Sequence, residues 1–95
     1  MNIRRLKISN ETAELVRTLH PDLKRKIKAA LQTVLNDPLS GKALKDELKG
    51  LQSFKVGKFR VIYNTASDKG IINVVAIGPR KTIYEETLKL LQREK

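Results

Sequence analysis

Three cations in the second half of the chain have the types and spacing to hold a phosphate: Lys55, Arg60 and Arg80. In the run Phe59-Arg60-Val61-Ile62-Tyr63, strand alternation turns Phe59, Val61 and Tyr63 one way and Arg60 the other. The same rule in Ser53-Phe54-Lys55-Val56 sends Phe54 and Val56 inward and Lys55 outward. Arg80 follows Gly78-Pro79, where the next apolar strand ends. The three are expected to converge on one surface. A guanidinium presents its donors as a planar fork that fits a phosphate, which a lysine cannot reproduce.

Composition limits what that surface can meet. Twenty Lys and Arg against ten Asp and Glu give a net charge of +10 over 95 residues. An excess of this size points to polyanionic partners, either a nucleic acid or an acidic protein. Aromatic residues make up only 4% of the chain, too few for a module that stacks several splayed bases. With no cysteine, disulfides, thiolate metal sites and cysteine nucleophiles are excluded together, and a reducing, cytoplasmic setting is expected. The basic N-terminus lacks the apolar stretch of a signal peptide, and no run approaches the ~20 apolar residues of a spanning helix.

The elements that must position these cations fit one domain over residues 1–95. Residues 2–8 alternate and predict a strand. Ser9 or Asn10 can cap a helix with Ala13, Leu15, Val16 and Leu19 as its apolar positions. His20-Pro21-Asp22 breaks it and starts a second, striped by Leu23, Ile27, Ala30, Leu31, Val34 and Leu35. Residues 39–50 read as a loop with one helical turn near Ala43 to Glu47. Strands follow at Ser53–Val56, Phe59–Thr65 and Ile71–Ile77, the last being the most apolar and expected at the centre. Thr82 with Glu85 forms a capping box for a final helix carrying Tyr84, Leu88 and Leu91 on one stripe. The class is α+β: an N-terminal strand, an antiparallel helix hairpin, a three-strand antiparallel meander and a C-terminal helix. Helices on one face of the sheet would leave the other face open for the cations.

Four segments carry a resemblance that covers essentially the whole chain: Asn36-Asp37-Pro38, Leu48-Lys49-Gly50-Leu51, FKVGKFRVIY at 54–63 and IGPRKTIYEE at 77–86. In these the chain resembles the RelE/ParE toxins of type II toxin–antitoxin systems. The resemblance implies a ribosome-dependent endoribonuclease that cuts mRNA in the decoding site. It assigns catalysis to Arg60, Arg80, Tyr84 and Lys55, with Lys58, Lys81 and Lys49 as RNA-binding residues. It further implies an acidic, RelB-like antitoxin as partner, a free toxin that is monomeric, and a hetero-oligomer once the antitoxin binds. The chain departs from the family pattern at Ser53, a lysine in some active members, and at Pro79, often basic or His.

The implied reaction is attack by the RNA's own 2′-OH, with no cofactor and no metal. That attack needs an in-line hydroxyl, a proton acceptor, charge stabilisation and a proton for the leaving 5′-oxygen. Positive neighbours favour the deprotonated form of a phenol or amine, which makes Tyr84 or Lys55 the expected base. Two rivals compete: a ParE-like inhibitor of DNA gyrase, and a degenerate member that only binds its antitoxin. Each residue also has a structural alternative. Arg60 could form a surface ion pair, Arg80 could cap a turn, and Tyr84 could be core. His20 is expected to serve the turn, and the Lys24–Lys28 run to be a solvated face.

Overall fold

The computed structural model describes residues 4–66 and 70–93. Strand β1 (Arg5–Ile8) leads into helices α1 (Asn10–Thr18) and α2 (Pro21–Asn36). A two-residue strand β2 (Lys42–Ala43) and a 3₁₀ turn (Asp46–Leu48) precede β3 (Gln52–Val56), β4 (Phe59–Ala66) and β5 (Ile71–Pro79). Helix α3 (Ile83–Arg93) ends the described chain. The start of the first predicted strand, at residues 2–3, and residues 67–69 between the last two strands lie outside the described residues.

Local chemistry explains the helix boundaries. Ser9 is the cap of α1, its Oγ accepting the Thr12 amide at 3.1 Å. His20 caps α2 through Nδ1, which accepts the Asp22 amide at 3.2 Å, and Pro21 occupies the first helical turn. At the other end of α2 the Arg4 guanidinium donates to the carbonyls of Leu35 and Asn36, at 3.4 and 3.1 Å. A cation there offsets the negative end of the helix dipole.

The sheet runs β1-β5-β4-β3-β2. Strands β2 to β5 pair antiparallel, whereas β1 joins β5 in parallel, Leu6 beside Ile72. The meander is therefore extended at both edges, by β1 and by β2. The middle position belongs to β4, not to β5, which lies between β4 and β1.

Expectation and structure part company over the faces of the sheet. Val16, Ile27, Ala30 and Val34 of the first two helices bury against Val56, Val61, Tyr63, Ile72, Val74 and Ile77. The opposite face is not open. It carries a second core of Leu51, Ile62, Ala76 and Ile83, closed over by Tyr84, Leu90 and Leu91. α3 crosses to that face because its buried stripe is Ile83 and Thr87, continued by Leu90 and Leu91, rather than Leu88. Leu15, counted among the apolar positions of α1, is 39% exposed, and Thr12 is buried in its stead.

Tyr63 is fully buried in the middle strand, yet its hydroxyl reaches the surface loop. It donates to the Pro38 carbonyl at 2.8 Å and accepts the Gly41 amide at 2.9 Å. Burial, the largest influence, pushes the phenol above its ordinary range. Tyr63 thus holds its proton to higher pH when folded than when unfolded. Below pH ~10 its contribution to stability is complete. Above that, the unfolded chain releases the proton first, and stability should fall until the folded phenol itself ionises. Following phenolate absorbance and helix signal together through an alkaline titration tests this. Tyr63 should ionise at higher pH in the folded chain than in the unfolded one.

Candidate nucleic-acid interface

The hairpin of β3 and β4 sets the cations. Lys55 is the direct cross-strand partner of Arg60, one step from the Gly57–Lys58 turn, and Arg60 is in turn opposite Gly78 on β5. Lys55 and Arg60 thus share the α3 face of the sheet, as alternation predicts. The Arg80 amide donates to the Lys58 carbonyl at 2.8 Å, which clips the exit of β5 to the hairpin turn. Lys55, Lys58, Arg60, Arg80 and the adjacent Lys81 therefore gather at one end of the sheet. Lys49 does not join them. It follows the 3₁₀ turn at the entry to β3, the end away from the hairpin.

Two features make the cluster electrostatically unusual. Like charges directly opposite each other on neighbouring strands repel, so the Lys55–Arg60 pair opposes folding unless an anion joins it. Among the described residues, the ion pairs are Arg17–Glu14, His20–Asp22, Arg25–Asp22 and Lys89–Glu85, all within helices or at their caps. None engages Lys55, Lys58, Arg60 or Arg80. Arg60 is also half-buried with its Nε shielded from solvent and lacking a hydrogen-bond partner among the described residues. The part of the half-buried Arg60 side chain that does meet solvent carries its charge with no carboxylate beside it among the described residues.

Gly78 explains how α3 comes so close. A Cβ at that position would lie 2.9 Å from Ile83 Cδ1 and 3.4 Å from a carboxylate oxygen of Glu86. The bare backbone lets Ile83 sink onto the sheet beside Arg60. The Glu86 carboxylate thus lies close to Gly78.

Tyr84, the next residue of α3, is half-buried on the second core, so its ring does pack as core. Its hydroxyl nevertheless lies 3.1 Å from Ser53 Oγ. Ser53, met in the sequence only as a departure from the family pattern, is 2% exposed and stands two residues before Lys55 on the same face. Nothing in the local sequence signals this contact, which spans 31 positions. His20 is occupied as a helix cap, the structural role expected of it. Lys24 is half-buried and Arg25, Lys26 and Lys28 are exposed along α2, on the far side of the molecule's layers from α3. Among the described residues there is no group of three His, Cys, Asp or Glu that could hold a metal ion. No helix among them is long and apolar enough to cross a membrane.

The likeness to known proteins agrees with this architecture. Residues 6–84 match the family described as the ParE toxin of type II toxin–antitoxin system, parDE. The fold superposes on that of a doubly substituted RelE toxin from E. coli in the free state, with a TM-score of 0.75 at 19% identity over 93% of this chain and 97% of that one. A chain of the RelBE2 toxin–antitoxin complex from Mycobacterium tuberculosis gives 0.72 at 20% identity, covering 83% of this chain and all of that one. The archaeal RelE–RelB complex from Pyrococcus horikoshii gives 0.68 at 21% identity, over 83% and 97% of the two chains. No curated protein matches the sequence.

Proposed function

Because the chain belongs to the ParE toxin family of type II toxin–antitoxin systems, within the RelE/ParE superfamily, we propose that it is a toxin that cleaves mRNA on the ribosome and so inhibits translation. The observation that carries this reading is the like-charged Lys55–Arg60 pair, without an ion-pair partner among the described residues, on the face that Tyr84 also packs on and beside the hairpin turn to which the Arg80 backbone is clipped. In this reading Arg60 and Arg80 grip the scissile phosphate. The 2′-oxygen bonds to phosphorus, its proton passes to the phenolate oxygen of Tyr84 or the neutral amine of Lys55, and the bond from phosphorus to the 5′-oxygen breaks. The leaving oxygen takes a proton from Arg80 or water. Lys58 and Lys81 hold flanking phosphates, and Lys49 a more distant one. The chemistry needs no metal or cofactor, since the nucleophile belongs to the substrate. Sites so poor in acid–base groups depend on the ribosome to align the RNA in line, which places the reaction in the cytoplasm.

The same cationic face suits an acidic antitoxin segment that folds onto it and blocks the RNA. Four of the solved structures of this fold are toxin–antitoxin complexes with RelB or YefM, which supports a partner of that kind. The free toxin is then a monomer and the silenced form a hetero-oligomer.

The ParE description of the matching family favours one alternative, inhibition of DNA gyrase without cleavage of nucleic acid. Translating ribosomes separate the two. The nuclease reading requires mRNA cuts at decoding-site codons and unimpaired supercoiling by gyrase. Intact mRNA together with blocked supercoiling reverses the assignment. Binding to single-stranded RNA supplies a further prediction. Affinity should fall with salt at a log–log slope of about −0.7 per neutralised phosphate, so four engaged cations give about −3. A flat response in filter-binding or fluorescence titrations would mean that the cluster does not meet phosphates.

A further inference from the structure

We propose that Ser53 is a positioning residue: its buried hydroxyl holds the Tyr84 phenol oxygen on the cationic face, so that the phenol meets the RNA in one orientation. The inference rests on the nuclease reading and assigns a role to a residue that does not itself touch the substrate.

Ser53 is well placed to fix another group. Its backbone is paired on both sides, with Lys42 of β2 and Ile62 of β4, and its side chain is 2% exposed. The direction of its Oγ is thus set by the sheet and not by solvent. A hydroxyl so buried needs a partner, and Tyr84 Oη at 3.1 Å supplies one. Tyr84 lies at the start of α3, where the half-buried ring packs on the core. Packing alone limits the tilt of a ring but leaves its polar tip free to slide. The bond to Ser53 removes that freedom. Since Ser53 and Lys55 are two apart on one strand, the tethered oxygen lies on the same face as Lys55 and its partner Arg60. Ser53 engages one lone pair or the proton of the phenol oxygen, which leaves that oxygen hydrogen-bonding capacity for a 2′-hydroxyl.

The chain contains only two tyrosines, so ¹³Cζ labelling gives one signal each for Tyr63 and Tyr84. In the full-length chain, Ser53→Ala should move the Tyr84 signal and leave that of Tyr63 in place. It should also lower single-turnover cleavage on the ribosome by ~10-fold or more, the scale of a misplaced reacting group. Ser53→Thr, which keeps the hydroxyl and suits a strand, should restore both. Cleavage by Ser53→Ala/Tyr84→Phe should equal that by Tyr84→Phe alone, because both changes break one bond. An unmoved Tyr84 signal in Ser53→Ala overturns the proposal, as does a moved signal with cleavage unchanged. A wild-type chain that leaves mRNA intact overturns the nuclease reading instead. The two failures are distinguishable, because the tethering of Tyr84 is then still reported by its signal.

Discussion

Replacing Arg60 with alanine is expected to lower ribosome-dependent cleavage by about 10²–10³-fold, the loss that follows removal of one preorganised donor to developing charge. Arg60 is the cation most firmly held at the proposed site. It sits in the middle strand, between Lys55 on one side and Gly78 on the other, half-buried where its field is least screened. Arg60→Lys keeps the charge but loses the fork, so its activity should fall between wild type and alanine. Folding stability should not follow activity. Alanine removes a buried N–H that has no partner among the described residues and relieves the repulsion with Lys55. Single-turnover cleavage of ribosome-bound mRNA and thermal unfolding, measured on the same preparations, check both halves. An Arg60→Ala chain that cleaves like wild type would remove the phosphate from this face. One that unfolds would show that Arg60 serves the fold.

The parts of this face that were legible in the sequence are those governed by the two-residue period of a strand. That period alone separates Arg60 from Phe59, Val61 and Tyr63, and Lys55 from Phe54 and Val56, and the register bears out both divisions. The hairpin was legible because a two-residue turn fixes the pairing on either side of it. What escaped were relations between distant segments. The parallel docking of β1 beside β5 joins residues about 66 positions apart, such as Arg5 and Ile71, and no local pattern encodes it. The second core was hidden for a different reason. Thr87, at the centre of the buried stripe of α3, is polar, so the stripe looks weaker than the one through Tyr84, Leu88 and Leu91. In the fold its hydroxyl is satisfied by the Ile83 carbonyl at 2.7 Å, within the same helix, and the residue buries completely. With α3 moved to that face, Tyr84 comes within reach of Ser53, and a residue noted only as a missing lysine acquires a partner.

Truncating Tyr63 to alanine should be among the most damaging single changes to the fold, at about 3–5 kcal/mol for the lost ring. Small domains hold only about 5–15 kcal/mol in total, so this variant should be largely unfolded when warmed. Tyr63→Phe isolates the hydroxyl. It keeps the ring but leaves the Gly41 amide and the Pro38 carbonyl without their shared partner, which costs about 1–3 kcal/mol. Gly41→Ala attacks the same contact from the other side, since its Cβ would lie 2.5 Å from the Tyr63 hydroxyl oxygen. These three variants should differ in what they loosen. The Tyr63 hydroxyl pins the loop that delivers Lys42 to its place beside Ser53, so Tyr63→Phe should speed amide exchange at Gly41 and in β2 before it affects α1 or α2. Uniformly faster exchange would mean instead that the hydroxyl stabilises the domain as a whole. Local loosening carries a consequence for the proposed site, because β2 is the strand that flanks Ser53 on its outer side. Tyr63→Phe should therefore broaden the Tyr84 signal as well, although the two tyrosines serve opposite faces of the sheet.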